Sequence, residues 1–238
     1  MAFAVLDKTT VIIPTYNESG NIPSLVAAIF GAYPDISLLV VDDHSPDGTA
    51  DLVRGLGDRY PNLHVLERRQ NRGFGRSYVD GFRQVLADGR TEAVVMMDAD
   101  FSHDPAVIGD MVGGLGEYGA VVGSRYRSGG NVENWSKWRQ MLSRSANFYV
   151  RAVLRVPVAD MTTGFMAVRA EALRAIDIER LRSDGYSFLV ELKYLLARAG
   201  CRVHEHPITF RERREGQSKM SGKVIWESIW LPWRIRMR

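Results

Sequence analysis

Short apolar runs alternate with stretches of helical character, and this alternation constrains the fold more than any other feature of the chain. Four runs in the first half have the length of buried strands rather than helices, and they lie at residues 11–14, 37–41, 63–66 and 93–97. Helices are predicted between them at residues 21–29, 49–60 and 77–86. Asn21 is the expected N-terminal cap of the first helix. Strands that alternate with helices predict an α/β fold with a mostly parallel central sheet flanked by helices.

The second half continues the pattern without a linker, an internal repeat or a low-complexity tract. Further strands are predicted at residues 120–123, 163–168 and 203–210, and further helices at residues 108–115, 135–156 and 188–199. The 238 residues and the hydrophobic fraction of 45% suit a globular chain. The single cysteine, Cys201, excludes an internal disulfide and suits a reducing compartment. We predict one domain over residues 1–222, followed by an amphipathic segment over residues 223–238.

Polar clusters follow the first, second and fourth apolar runs, where each predicted strand ends. The carboxyl ends of parallel strands form the edge at which open α/β sheets bind ligands. Asp98 and Asp100 follow the fourth run, and two such carboxylates could hold Mg²⁺ or Mn²⁺ against a substrate diphosphate. The alternative is an ordinary turn in which one carboxylate caps the next helix. The sequence lacks a glycine-rich dinucleotide fingerprint after the first strand and a phosphate-binding Gly-Lys-Ser/Thr loop.

Charge is distributed unevenly, although the formal net charge is only +3. Residues 122–156 contain seven basic side chains and one acidic, and residues 198–238 contain ten basic and four acidic. Two cationic segments on an otherwise acidic chain suggest a polyanionic partner. Charge alone leaves nucleic acid, anionic lipid and a phosphorylated ligand open, and a solvated basic face is the alternative to all three.

Seven short motifs, in the expected order and over nearly the whole chain, resemble the inverting A-type glycosyltransferases of family two. They are IPTYNE at 13–18, VDDHSPDGT at 41–49, NRG at 71–73, DAD at 98–100, GSRY at 123–126, TGF at 163–165, and FRER running into GQSK at 210–219. The later motifs are similar to those of polyprenol-phosphate or dolichol-phosphate mannosyltransferases. The resemblance implies a single Rossmann-like A-type glycosyltransferase domain. It also implies transfer of mannose from GDP-mannose to a polyprenyl or dolichyl monophosphate, with inversion and with Mg²⁺ or Mn²⁺.

The resemblance also implies roles for individual residues. Contacts with the donor nucleotide or its diphosphate are implied for Pro14, Tyr16, Glu18, Val41, Asp43, Asp98, Ala99, Asp100, Arg213 and Lys219. Contacts with the acceptor phosphate are implied for Arg125, Arg139 and Ser143. Asp100 and Asp98 are the implied metal ligands. Ser102 stands where some relatives carry Gln, and its hydroxyl would be a shorter and weaker ligand.

The implied acceptor needs little activation, because a phosphomonoester is largely ionised near neutral pH, with a second pKa of about 6. We therefore expect no dedicated catalytic base, with Asp98 as the fallback. The catalytic residues would then be Asp98, Asp100, Arg125 and Arg139, which orient the acceptor and stabilise the leaving group. Two other functions stay open. One is a UDP-glucose-dependent transferase to a lipid phosphate or a sugar hydroxyl, and the other is a catalytically silent domain that binds a membrane partner.

The predicted acceptor resides in a bilayer, so the chain must reach a membrane surface. Residues 223–238 contain three tryptophans and end in several arginines, which is typical of an interfacial helix, although Pro232 should kink it. Core packing of this segment, a membrane-embedded partner subunit and a removed downstream segment are the alternatives. The chain shows neither a secretory signal nor a run of about 20 apolar residues. We expect a peripheral protein on the cytoplasmic face of the membrane, without a nucleic-acid partner.

Overall fold

A seven-stranded sheet with helices on both faces forms the centre of the molecule. The computed structural model describes residues 5–183, 185–211 and 230–237. The strands are β1 Thr9–Thr15, β2 Ser37–Asp42, β3 Leu63–Glu67, β4 Ala93–Met96, β5 Ala120–Ser124, β6 Asn131–Val132, β7 Met166–Arg169, β8 Val203–Pro207 and β9 Thr209–Phe210. The helices are α1 Ile22–Ala32, α2 Thr49–Leu56, α3 Phe74–Ala87, α4 Ile108–Gly114, α5 Lys137–Leu154, α6 Ala170–Arg174 and α7 Tyr186–Arg198.

The strand order of the main sheet is β3-β2-β1-β4-β7-β5-β8, and every strand except β7 runs in the same direction. The predicted α/β class and mostly parallel sheet are confirmed. Because β7 runs antiparallel to β4 and β5, its first residue lies at the edge where those strands end. The chain before β7 therefore reaches the same edge as the Asp98–Asp100 turn. The short strands β6 and β9 pair separately.

Alternate residues of the central strands enter two apolar layers, one on each face of the sheet. Val11 and Ile13 pack in the layer that contains α1, whereas Ile12 packs in the layer that contains α3. All three side chains have 0% exposure, and burying a side chain of this size contributes about 1.5–3 kcal/mol. Gly81 lets α3 lie close to the sheet, since a Cβ at that position would stand 3.0 Å from Ile12 Cγ2.

Several predicted boundaries were wrong. The strand expected at 163–168 begins only at Met166, because residues 159–165 form a buried irregular segment. The strand expected at 203–210 is divided, because β8 ends at Pro207, which has no N–H for the ladder, and β9 pairs with β6. Helix α6 was not predicted. Asn21 does not cap α1, since its side-chain amide donates to Glu18 Oε2 at 2.9 Å.

The end of the chain packs on α5. Residues 230–236 are helical and continue through Pro232. Trp233 Nε1 donates to the hydroxyl of Tyr149 at 3.0 Å, and the guanidinium of Arg236 donates to the carbonyl of Val153 at 2.6 Å. Ile235 is 3% exposed and belongs to the core. Within the described ranges, no helix has the length and hydropathy needed to span a bilayer.

Candidate active site

The carboxyl ends of β1, β2 and β4 surround a cleft of about 440 Å³. Its walls are formed by Pro14, Thr15, Tyr16, Glu18, Asp43, Arg72, Gly73, Phe74, Ser77, Asp98, Ala99 and Asp100. Most of the residues predicted to contact the nucleotide are therefore brought together at one edge of the sheet. Tyr16 presents a ring that is 48% exposed, which suits stacking on a planar base.

Among the described residues that were predicted to contact the nucleotide, Val41 alone does not line the cleft. Its side chain has 0% exposure and lies in the core on the side of α3. A Cβ added at Gly81 of that helix would stand 3.3 Å from Val41 Cγ2. The direction of this side chain is set by the two-residue period of β2. The Val41 side chain therefore supports the floor of the cleft and does not line it.

The two neighbouring aspartates at the end of β2 have different jobs. Asp42 accepts hydrogen bonds from Thr15 Oγ1 at 2.8 Å and from the backbone N–H of Ser45 at 2.8 Å, so it holds the turn. Asp43 lines the cleft, and its Oδ2 accepts the backbone N–H of Gly73 at 2.8 Å. Farther on, Asp47 closes the predicted turn before α2 by accepting from Thr49, with Gly48 at φ +80°.

Arg68 is the buried partner of Asp43, and sequence reasoning missed it. Its side chain is 3% exposed, and its guanidinium donates to Asp43 and Asp80 and to the carbonyl of Asn71. Ser77 Oγ completes the group at 3.0 Å from Arg68 Nη1. Arg68 therefore fixes the Asp43 carboxylate together with the loop that forms one wall of the cleft.

Asp98 and Asp100 stand at the end of β4, where the chain turns sharply. Asp100 is 5% exposed, and its Oδ1 accepts the backbone N–H of Ser102 at 3.0 Å. The cap of the following 3-10 turn, Pro105–Val107, is Asp104, whose Oδ1 accepts from the N–H of Ala106 at 3.0 Å. The alternative in which the Asp-Ala-Asp motif caps the next helix was therefore wrong, although Asp100 does stabilise its own turn.

The oxygen atoms at this turn fit a hard divalent cation. Asp98 and Asp100 both line the cleft, and Mg²⁺ or Mn²⁺ prefers such carboxylates. The Ser102 hydroxyl is buried and has no hydrogen-bond partner in the part of the chain that the structure describes. The described residues contain no cluster of three or more Asp, Glu, His or Cys side chains suited to a metal. The residues that would hold a cation here are Asp98 and Asp100.

Gly164 explains why the Thr-Gly-Phe motif belongs to the site. A Cβ at residue 164 would stand 3.3 Å from Asp98 Oδ1, so the absent side chain leaves room for this carboxylate. The next residue, Phe165, stacks on the imidazole of His103 with ring centroids 4.9 Å apart. His103 Nδ1 accepts the backbone N–H of Asp98 at 3.3 Å, which assigns the ring proton to Nε2. The Thr-Gly-Phe motif thus packs against the turn that contains Asp98 and Asp100.

Two aromatic rings bring together the residues predicted to hold an acceptor phosphate, which are Arg125, Arg139 and Ser143. The Arg139 guanidinium lies 4.1 Å from the centroid of Trp135, and the Arg125 guanidinium lies 5.6 Å from the same ring. Ser143 Oγ accepts from the hydroxyl of Tyr126 at 2.6 Å. The Trp135 indole N–H is buried without a hydrogen-bond partner among the described residues. This N–H is a further donor that could bind an anion. The sequence did not indicate its position.

The positive charge of Arg125 is compensated by the carboxylate of Asp160, which the sequence analysis also did not identify. Asp160 has 0% exposure and receives two parallel bonds from Arg125, Nε to Oδ2 at 2.7 Å and Nη2 to Oδ1 at 2.6 Å. Burial would raise the pKa of Asp160, but the charge of Arg125 outweighs burial and holds that pKa below its usual value. Arg125 Nη2 also donates to Thr162 Oγ1 at 2.8 Å.

Two residues that were predicted to contact the donor nucleotide or its diphosphate lie outside the described residues; they are Arg213 and Lys219. Of the histidines near the site in sequence, His44 has a local role, since Nδ1 lies 2.6 Å from Glu67 Oε1 at the surface. Hydrogen bonds from Arg54 and His44 lower the pKa of Glu67 to about 2.

Comparison with known proteins places this geometry among sugar-transfer enzymes. The sequence profile described as Glycosyl transferase family 2 matches residues 10–177. The chain is 42% identical to a polyprenol monophosphomannose synthase of Mycolicibacterium smegmatis, over 97% of this chain and 88% of that protein. It is 40% identical to an undecaprenyl-phosphate mannosyltransferase of Micrococcus luteus, over 93% and 91% respectively.

A solved structure shares the fold. It is glucosyl-3-phosphoglycerate synthase from Mycobacterium tuberculosis in complex with Mn²⁺, UDP-glucose and glycerol 3-phosphate, with a TM-score of 0.66 and 19% identity. The match covers 96% of this chain and 79% of that one.

Proposed function

This chain belongs to glycosyl transferase family 2, and we propose that it transfers mannose from GDP-mannose to a polyprenyl monophosphate. The products would be polyprenol-phosphate β-mannose and GDP. The observation that carries the proposal is the placement of two sites on either side of one buried segment, residues 159–165. The cleft lined by Asp98 contacts this segment at Gly164. On the other side, Arg125 of the proposed acceptor site contacts it at Asp160 and Thr162. The two relatives described above, at 40% and 42% identity, are named for this chemistry and support the same conclusion.

The donor would lie in the cleft with its base beside Tyr16 and its diphosphate beside Asp98 and Asp100. Glu18 and Asp43 provide carboxylate acceptors for the N–H and hydroxyl groups of guanosine. Mg²⁺ or Mn²⁺, held by Asp100 and Asp98, would neutralise the charge that develops on GDP as it leaves. Ser102 lies buried next to this pair and is proposed as an outer contact. The assignment of Arg213 and Lys219 to the diphosphate remains a prediction from the resemblance.

The acceptor phosphate would lie against Arg139, Ser143 and Arg125. One of its oxygens attacks C1 of mannose from the face opposite the diphosphate, so the new C1–O bond forms as the bond to GDP breaks and the configuration inverts. The second pKa of a phosphomonoester is about 6, so this oxygen is already ionised and no side chain must remove a proton. The arginines therefore orient the nucleophile and reduce its repulsion from the donor diphosphate.

We also propose that the exposed side of α5 rests on an anionic membrane surface. Trp138, Met141 and Phe148 are 67%, 51% and 72% exposed, and their spacing places them on one side of the helix. Trp230 and Trp233 of the adjoining C-terminal helix are 60% and 45% exposed. Apolar rings flanked by basic residues are typical of an interfacial surface, and the cytoplasmic leaflet is the anionic one. These exposed rings support the proposal of a peripheral enzyme at the cytoplasmic face of the membrane.

The decisive experiment is transfer of radiolabel from GDP-mannose to polyprenyl monophosphate in vesicles, with Mg²⁺ or Mn²⁺. We expect lipid-extractable mannose that is sensitive to mild acid and dependent on the metal. A parallel reaction with UDP-glucose tests the donor, and glucose transfer without mannose transfer would overturn the assignment of GDP-mannose. Vesicle binding with neither transfer would instead favour a silent membrane-binding domain.

A further inference from the structure

Residues 159–165 cross the interior of the protein without regular secondary structure. Asp160, Met161, Thr163 and Phe165 are between 0% and 3% exposed. Irregular backbone is normally found at the surface, where water satisfies its N–H and carbonyl groups. A buried segment of this kind must find those partners within the protein.

Side chains from three different elements supply the partners. Glu205 of β8 accepts the N–H groups of Ala159 and Asp160, and Asn147 of α5 accepts the N–H of Met161. Lys193 of α7 donates hydrogen bonds to the carbonyl groups of Met161 and Thr163. The distances are 2.9 Å and 3.0 Å for Glu205, 2.7 Å for Asn147, and 3.1 Å and 2.7 Å from Lys193 Nζ to the carbonyl oxygens of Met161 and Thr163.

The shorter of the Lys193 bonds holds the peptide group that leads into Gly164. Gly164 in turn forms the wall beside the Asp98 carboxylate, with a Cβ at that position only 3.3 Å from Oδ1 and 3.6 Å from Oδ2. A displacement of the 163–164 peptide would therefore move this wall toward or away from the carboxylate. Lys193 is 1% exposed and does not line the cleft, and its hydrogen bond to the carbonyl of Thr163 connects it to the wall beside Asp98.

We propose that Lys193 is a positioning residue, which holds residues 161–164 in place and thereby sets the orientation of the Asp98 carboxylate toward the metal and the donor diphosphate. The inference rests on the proposed function, because it assigns Asp98 to the donor site. The charged groups that face Lys193 are Asp160, Arg125 and Glu205. The two carboxylates compensate the two cations, so the amine can remain in an interior position. Burial lowers the pKa of Lys193 to about 7, and the amine donates hydrogen bonds in either protonation state.

The test is Lys193→Met, which keeps the length of the side chain and removes its donors. GDP binding is measured by titration calorimetry with and without Mn²⁺, which needs neither mannose nor a lipid acceptor. We expect the affinity for GDP in Mn²⁺ to fall about tenfold, as for loss of a residue that orients a metal ligand, whereas the metal-free affinity stays unchanged. Leu196→Ala is the matched control. It creates a cavity in the same helix at a fully buried position and should leave the Mn²⁺-dependent affinity intact.

Gly164→Ala supplies an independent perturbation of the same wall. The added methyl group would press on Asp98, so this variant should also lower the Mn²⁺-dependent affinity, and its effect should be non-additive with that of Lys193→Met. Unchanged Mn²⁺-dependent binding by folded Lys193→Met would overturn the proposal. Should that variant not fold, Lys193→Gln retains an amide NH₂ group as donor, and additive effects of Lys193→Gln and Gly164→Ala would overturn the proposal equally. Failure of the wild-type protein to bind GDP with Mn²⁺ would instead refute the donor assignment itself.

Discussion

Replacing Arg68 by Met should destabilise the fold and weaken GDP binding together, because this buried guanidinium holds Asp43, which lines the cleft. Arg68 donates to Asp43, Asp80, Ser77 and the carbonyl of Asn71. Its side chain is 3% exposed and that of Asp43 is 11% exposed, so water screens the pair weakly. Met fills a similar volume but offers none of these donors.

The size of the effect follows from what Asp43 retains. Removing one partner of a buried ion pair costs about 3–5 kcal/mol, because the other charge is left uncompensated. Asp43 would keep the N–H of Gly73 at 2.8 Å and the hydroxyl of Ser77 at 3.1 Å, which favours the lower end of that range. For a chain of this size, a loss of about 3 kcal/mol lowers Tm by about 6–12 °C.

Urea unfolding and calorimetric titration with GDP measure the two consequences separately. Arg54→Met is the matched control, because Arg54 also contacts two carboxylates, those of Asp51 and Glu67, but its side chain is 46% exposed. Surface ion pairs contribute about 0–1 kcal/mol, so the control should unfold almost as the wild type does and should bind GDP normally. Equal stability of the two variants would refute the reasoning, since it would show that Asp43 needs no buried counter-charge.

Three further predictions concern the metal, the acceptor and pH. Asp100→Ala should abolish both mannose transfer and metal-dependent binding of GDP, and metal-dependent binding that survives would exclude Asp100 as a ligand. Arg139→Ala should raise the KM for the lipid phosphate while leaving GDP affinity unchanged, whereas loss of GDP affinity would place Arg139 on the donor side. Lys193 has a pKa of about 7 in the folded protein and 10.5 in the unfolded chain, so between these values the unfolded state binds more protons and stability rises with pH. The rise is at most about 1.4 kcal/mol per pH unit, and Lys193→Met should remove it when unfolding is measured at about pH 7.5 and about pH 9.

The first half of the fold could be predicted because its strands contain apolar runs and its connections are short. Residues 93–97, for example, can satisfy both their burial and their hydrogen bonds only inside a sheet. The direction of β7 could not be predicted, because an apolar run looks the same whether its neighbours run parallel or antiparallel. The irregular segment 159–165 was hidden for a related reason. Its polar partners Asn147, Lys193 and Glu205 come from distant parts of the chain.

The same distinction applies to the site. The motifs predicted which residues would meet at the sheet edge, since carboxyl ends of parallel strands must lie together. They did not indicate Arg68, which matters because it is buried beside the carboxylate of Asp43. They also did not indicate Asp160, which matters because it is buried beside the guanidinium of Arg125. Val41 shows the opposite case, because a residue in a motif contributes to the core. Sequence patterns thus identified the groups at the surface of the cleft better than the groups that hold them.

These supporting groups bear on how the two carboxylates of the Asp-Ala-Asp motif could serve one cation. Within its own turn, Asp100 accepts the N–H of Ser102 at Oδ1, and this bond is formed by neighbouring backbone. Asp98 is placed by the wall at Gly164 and by the bond from its N–H to His103, which depend on the antiparallel strand β7 and the packing behind it. Since the bond to Asp100 lies within the turn and the wall beside Asp98 depends on tertiary structure, mutations that displace Gly164 should alter Asp98 more than Asp100. Such mutations would then lower metal affinity while the turn itself stays intact.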